Sequence, residues 1–417
     1  MRKKLEAIFF FLAPQQQFLT LNAISIIGSI AAMGLAYIYQ LIAARALSLA
    51  DYGSLGVLLG IWAILTIPLG SITAVLAREM AKRSSSPQEA NFIFKKYAYG
   101  GGMPSIALSL ACALLLYLLN QPLLALLLLG LPASFLISII SAWLQAKEKI
   151  LELSLMQCCS QILRILSLLF FLALGLGLAG AVGSVPAYIT ILLLVLLLVF
   201  YPQFRDSCPT QIHLRGEFML LAALLLLQNL LLYQDLFAVK YFLPAAEAGL
   251  YNAAEVTAKI LVFFAGAIGI VLYPKIAKLE GAQLAREGKM LLAISGVLLL
   301  PVFFGFLVFG QQFITLFYGE KFAAAVEPFR LLSIAMLVMG WAQLLTLFLM
   351  ARKREKSLLL SYSLAVVLNT LALFTLVPLY GMAGAALGII ITSGALLLAL
   401  LWHVLRLPSI HAMEQSL

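Results

Sequence analysis

The chain has 417 residues, of which 64% are apolar and only 11% charged, with a formal net charge of +10 and a mean hydropathy of +1.07. This much apolar surface excludes a soluble enzyme of this length and points to a membrane protein. The segments between apolar runs are too short for a catalytic domain, and no P-loop is present, so the chain does not hydrolyse nucleotide by itself.

The chain begins MRKKLEAIFFFLAP, a basic stretch followed by a short apolar one. Its order resembles a signal peptide. However, Pro14 and residues 15–17 (QQQ) follow without a small-residue cleavage site, so an uncleaved interfacial helix over 1–17 is expected. Apolar runs then recur at 18–44, 53–77, 98–119, 122–144, 152–175, 178–201, 218–242, 248–273, 289–310, 328–350, 358–379 and 381–405. A helix needs about 20 such residues to cross the hydrocarbon core. Alternating short strands are absent, so a β-barrel is not expected, and lipid leaves helices as the spanning structure. The longest connections fall near 84–96, 202–216 and 311–328.

The chain repeats itself. Residues 47–53 (LSLADYG) are echoed by 243–249 (LPAAEAG), an offset of 196 residues. At the same offset, residues 70–82 (GSITAVLAREMAK) match 266–278 (GAIGIVLYPKIAK) at six of thirteen positions. Near the ends of the halves GLAGA (177–181) matches GMAGA (381–385), each a tight turn between two apolar runs. Ordered matches of this kind indicate duplication of one unit. Six spans per copy is an even number, so the copies share an orientation. The expected fold is an all-α polytopic membrane protein of 12 transmembrane helices, in two six-helix lobes related by a pseudo-twofold axis along the membrane normal. Its segments are an interfacial 1–17, an N-lobe 18–202, a cytoplasmic linker 203–216, a C-lobe 217–406 and a tail 407–417.

Charge sets the orientation. With the N-terminus inside, Arg2, Lys3, Lys4, Arg78, Lys82, Arg83, Lys95, Lys96, Lys147, Lys149, Arg205 and Arg215 lie on the inner side, and the second half adds a similar number. Only Arg45, Lys240, Lys321 and Arg330 lie outside. The positive-inside bias places both termini in the cytoplasm, with the chain in the cytoplasmic (inner) membrane. The +10 charge is then a topology signal: no nucleic-acid partner is expected, and the inner loops can touch anionic membrane lipids. Cys112, Cys158, Cys159 and Cys208 show no metal spacing, and His213, His403 and His411 form no cluster. No disulfide, metal or cofactor is expected.

The first span with Asn22, residues 44–47 (ARAL) and 51–53 (DYG), residues 249–254 (GLYNAA) and 272–275 (LYPK), and the two Gly-x-x-Gly-Ala turns carry a resemblance. Together they resemble Wzx-type polysaccharide exporters of the multidrug/oligosaccharidyl-lipid/polysaccharide (MOP) exporter superfamily, over about 18–405. The resemblance implies a two-lobed fold with a V-shaped cavity lined by spans 1, 2, 7 and 8. It implies flipping of a polyprenyl-diphosphate-linked oligosaccharide for cell-surface polysaccharide synthesis, with no enzymatic step. It also leaves room for a glycan polymerase or other surface-polysaccharide machinery as partner, and for a monomer. Lipid II flippases of the superfamily carry two further C-terminal helices, whereas multidrug exporters share twelve.

A charge facing lipid costs roughly 2.5–3.5 kcal/mol on insertion scales, so charges within spans should face an interior or a wet cavity. Four lie in spans: Arg164, Asp235, Glu255 and Lys259. Glu255 and Lys259 share a helix face; they contact substrate sugars or diphosphate, or they form a structural ion pair. Asp235 is a site for a coupling cation or proton, or a partner of Arg45 closing an outer gate. An Arg fork suits phosphate or carboxylate, so Arg164 is a substrate contact, or is held by carbonyls or an acid inside the N-lobe. Lys240 stands near the outer surface. Arg78 and Glu79 close span 2, as a cytoplasmic gate or as solvated helix ends. Asn22, Gln40, Tyr39 and Asn252 can bond sugar hydroxyls or join helices, and the diphosphate favours Arg45 and Lys259. Two rivals stay open: a cation-coupled small-molecule or multidrug antiporter, and a non-transporting scaffold for glycan synthesis.

Overall fold

The computed structural model describes residues 27–82, 87–200, 203, 208, 217–278, 289–352 and 354–405. The regular elements among them are helical: α1 (Ile27–Ala46), α2 (Leu49–Leu65), α3 (Ile67–Ala81), α4 (Pro87–Leu118), α5 (Pro122–Leu128), α6 (Leu131–Ala146), α7 (Ile150–Ala173), α8 (Gly177–Phe200), α9 (Glu217–Phe242), α10 (Ala245–Ala258), α11 (Ile260–Lys278), α12 (Lys289–Tyr318), a 3-10 turn (Glu320–Ala325), α13 (Val326–Ala351) and α14 (Glu355–Leu405). Counting α2–α3, α5–α6 and α10–α11 as single rods, eleven helices among the described residues are long and apolar enough to cross a membrane. The last holds Gly381 at φ 60°, ψ −138°, where one helix stops and the next begins. With α14 counted as two spans, the twelve expected are present and the chain is a multi-pass membrane protein. Large apolar side chains such as Leu198, Phe170, Leu398 and Phe374 stand exposed on outward helix faces, as a lipid-facing surface requires. The proposed interfacial segment, most of the linker and the tail lie outside the described residues.

Two connections are shorter than expected. Helix α4 starts at Pro87, inside the stretch read as a loop, and α12 runs on to Tyr318 before the 3-10 turn. Proline at the first position of α4 suits a helix start, because its missing N–H has no partner there anyway.

The echoed motifs are helix starts. Ser48 caps α2, its Oγ accepting from the Asp51 backbone N–H at 3.1 Å. Pro244 occupies the equivalent position before α10, with Glu247 in the first turn. Asp51 and Glu247 are each the third helical residue, where a carboxylate offsets the helix dipole. The turn glycines correspond too: Gly177 and Gly381 both have positive φ, 50° and 60°.

The chain divides into two compact units, Met1–Tyr39 with Leu69–Leu214, and Gln40–Pro68 with Arg215–Leu417. The hairpin Gln40–Pro68, placed with the N-lobe by its sequence position, therefore groups with the C-terminal helices. In the N-terminal unit the fully buried Trp143 donates from Nε1 to Asn91 Oδ1 at 2.9 Å, and Asn91 donates onward to the Gln203 carbonyl at 2.7 Å. Lys147 stacks its ammonium 4.1 Å above the Trp143 ring. Burial, and then the Lys149 charge, hold the Lys147 pKa below its ordinary value.

In the C-terminal unit α2 lies directly on α10. A Cβ on Gly53 would sit 2.6 Å from the Gly249 backbone nitrogen, and one on Gly249 would fall 1.9 Å from the Leu49 carbonyl oxygen. Small residues are what let membrane helices approach so closely. Beside this crossing, Tyr52, Tyr318 and Phe322 are fully buried and pack edge to face, with centroids 5.4–6.4 Å apart.

Candidate functional site

Among the described residues, the C-terminal unit buries three charged side chains within its spans. Asp235 comes from α9 and Glu255 from α10, while Lys259 stands at the break between α10 and α11. Their exposures are 0%, 1% and 3%. Glu255 and Lys259 form a hydrogen-bonded ion pair one turn apart. The Lys259 ammonium also lies 3.9 Å from the centroid of the Tyr233 ring, a cation–π contact that offsets part of its desolvation. Asp235 Oδ2 accepts from the Tyr251 hydroxyl at 2.8 Å. Asp235 Oδ1 and Glu255 Oε2 are buried and have no hydrogen-bond partner. Two carboxyls face one ammonium, and each keeps one oxygen free to bind a proton or a small cation. Asp235 is not joined to Arg45, which corrects that expectation.

Arg45 ends α1 and bonds backbone instead. Its Nε donates to the Phe317 carbonyl at 2.8 Å and its Nη2 to the Leu316 carbonyl, both at the C-terminal end of α12. Lys321 returns the contact, donating to the carbonyls of Arg45 and Leu47 at 3.2 and 2.8 Å. Each helix end is thus capped by a cation from the other's C-terminal region, Arg45 in the last turn of α1 and Lys321 just past α12, the favoured charge at a helix C-terminus. Around the same crossing Lys240 donates to Ser54 Oγ at 2.9 Å, Gln40 accepts from the Tyr52 hydroxyl at 3.4 Å, and Asn252 donates to the Tyr52 carbonyl at 3.2 Å. Asn252 fills the space over Gly56, its own equivalent at the repeat offset. At the other end of the second span, Glu79 pairs with the largely exposed Lys82 one turn on, and Arg78 sits beside it. Asn22 lies outside the described residues.

In the N-terminal unit the charge within a span is half-buried and is held differently. The Arg164 guanidinium stacks 4.0 Å from the Tyr39 ring centroid and 6.0 Å from that of Tyr188. Among the described residues it bonds neither a carbonyl nor an acid, contrary to one of the two expectations for it. The Tyr39 hydroxyl donates to the Ala181 carbonyl at 3.3 Å, which fixes the stacked ring. Sequence reasoning missed Tyr251, Tyr233, Tyr188, Gln161 and the role of Lys321. Tyr233, Tyr251 and Gln161 each stand within about a turn of a span charge (Asp235, Glu255 and Arg164), which was the available signal, though it does not show that Tyr251 meets Asp235; Tyr188 and Lys321 had none. Among the described residues no group of three or more potential metal ligands exists.

These helices define a polytopic membrane fold. The family model described as polysaccharide biosynthesis protein matches residues 20–280, more than half of the chain. The chain belongs to that family. It is also similar, at 26% identity over 161 residues, to an uncharacterized membrane protein of Methanocaldococcus jannaschii; the match spans 38% of each chain. Among solved structures it resembles an inward-facing multidrug resistance MATE family transporter of the MOP superfamily. That similarity has a TM-score of 0.73 at 14% identity, covering 94% of this chain and 99% of the other. It also resembles a MOP superfamily transporter from Pyrococcus furiosus described as having reversed binding-pocket polarity, with a TM-score of 0.58 at 14% identity, covering 94% and 96%. At these identities the structural likeness establishes the MOP fold.

Proposed function

We propose that this protein is a flippase that moves a polyprenyl-diphosphate-linked oligosaccharide from the cytoplasmic to the outer leaflet by alternating access, for surface-polysaccharide synthesis. The membrane is the cytoplasmic one, with both termini inside. No covalent chemistry is involved. Membership of the polysaccharide biosynthesis family supports the substrate class. The observation that carries the mechanism is the buried cluster of Asp235, Tyr251, Glu255 and Lys259, with its two unpartnered carboxyl oxygens.

A buried excess negative charge is costly unless neutralised. The cluster therefore takes up a proton or a small cation, and that uptake changes the bonding between α9 and α10. A two-state element of this kind is what gradient-driven alternation needs. Arg45 and Lys240 act in this reading as fasteners of the hairpin Gln40–Pro68, and Asn252 and Gln40 as hydrogen-bonding groups on the same surfaces. Arg78 and Glu79 serve the inner end of span 2.

The test is transfer of a fluorescent lipid-linked oligosaccharide across proteoliposomes under an imposed proton or sodium gradient. Gradient-dependent transfer, abolished in Asp235→Asn and Glu255→Gln, is expected. Efflux of small organic cations without glycolipid transfer would establish the antiporter instead. No transport of either kind, with normal folding, would point to a scaffold.

A further inference from the structure

Three cations were candidates for holding the diphosphate, and the structure separates them. The Arg45 donors are taken by helix-end carbonyls and the Lys259 ammonium by Glu255. Arg164 alone of the three keeps a buried donor, Nε, without a partner. The carboxylates described in its unit, Glu79, Glu89, Glu148 and Glu152, all sit at or next to helix ends. The nearest along the chain, Glu152, is twelve residues away on the same helix, about 18 Å at 1.5 Å per residue. Arg164 is thus a cation at membrane depth with no counter-ion among the described residues of its unit.

Its surroundings hold it for a ligand. The guanidinium lies over the Tyr39 ring, with Tyr188 at the edge of cation–π range, and a planar guanidinium with an unpartnered N–H suits phosphate oxygens. Gln161, three residues earlier on the same face of α7, has a buried Oε1 that also lacks a partner. An unpartnered acceptor beside an unpartnered cationic donor matches a ligand that carries both anionic oxygens and hydroxyl groups.

We propose that Arg164 and Gln161, with Tyr39 and Tyr188 as the stacking frame, are the docking point for the glycosyl diphosphate of the lipid carrier. Phosphate oxygens accept from Arg164, and a sugar hydroxyl donates to Gln161 Oε1. This rests on the flippase reading and moves the anion contact from the hairpin and the C-terminal cluster to the N-terminal unit. The same chemistry is offered by a phosphoglycerol lipid headgroup, so the test separates the two sources.

Protein in phosphatidylcholine nanodiscs is titrated with geranylgeranyl diphosphate, with geranylgeraniol and with phosphatidylglycerol. Arg164→Gln should weaken diphosphate binding about ten-fold or more, as loss of one charge-assisted hydrogen bond does. Arg164→Lys should recover part of it, and the uncharged alcohol should bind all variants alike. Gln161→Leu should weaken a prenyl diphosphate bearing N-acetylglucosamine but leave the bare diphosphate unchanged.

Wild-type diphosphate affinity in Arg164→Gln overturns the site, and so does Arg164-dependent binding of phosphatidylglycerol that the diphosphate does not displace. A fall in melting temperature shared by Arg164→Gln and Arg164→Lys, with binding lost in both, marks a structural role and also overturns it. If wild type moves lipid-linked oligosaccharide and Arg164→Gln does so equally, the site fails and the flippase stands. If wild type neither binds nor moves any prenyl diphosphate, the flippase reading falls as well.

Discussion

Breaking a buried ion pair costs far more than replacing it, because the survivor is left charged without a partner. Lys259→Met should therefore destabilise the protein by about 3–5 kcal/mol, while the double variant Glu255→Gln/Lys259→Met should regain most of that. Thermal unfolding in detergent measures both; equal losses would mean the pair is solvated. The spacing of Glu255 and Lys259 made this pair legible in the sequence, because four residues on a helix is one turn. The partners of Asp235 were not legible. Its hydroxyl donor, Tyr251, is sixteen residues away on another helix, and only packing brings the two together. Arg45 shows the opposite error: its charge suggested a ligand, but a helix end nearly three hundred residues away takes it through carbonyls that no sequence pattern marks.

Elements were more legible than sites. Apolar runs of about 20 residues located every span, since lipid leaves the backbone no alternative to the helix. Their ends were less clear, because polar residues interrupt the apolar runs where α4 begins (87–96) and before α12 ends (Gln311 and Gln312). The closest contact between elements, α2 on α10, makes a sharp prediction. A methyl at Gly249 would overlap the Leu49 carbonyl, and backbone on both sides has no rotamer to yield. Gly249→Ala should lower stability by about 1–3 kcal/mol as overpacking does, seen as a lower melting temperature and lower yield. Gly266→Ala, with nothing within 4 Å of the added carbon, is the control and should be near neutral.

At the scale of the molecule, the repeats were legible in the sequence, but the partition of the chain was not. Residues 40–68 follow the first lobe in sequence yet group with the C-terminal helices, and linear order carries no sign of this exchange. The proposed orientation has its own test in the native cysteines. Cys208 is exposed and its backbone N–H bonds the Gln88 carbonyl, at ends of the N-terminal unit that the proposed orientation puts in the cytoplasm. A membrane-impermeant maleimide should label it in inside-out vesicles and leave it unlabelled in intact cells. Cys112, Cys158 and Cys159 lie within spans and should stay unlabelled from either side. Labelling of Cys208 from outside would invert the topology.

The meeting of Gly53 with Gly249, and of Gly56 with Asn252, has a consequence for symmetry. In each pair the partners are the same position in the two copies. In a symmetric homodimer, residues on the twofold meet their own counterparts in just this way. The crossing of α2 and α10 thus has the form of a twofold self-contact made within one chain. It also shows where the copies differ: at one step along that contact one copy has Gly56 and the other Asn252, whose amide donates to the Tyr52 carbonyl, so the two sides of the crossing are not equivalent.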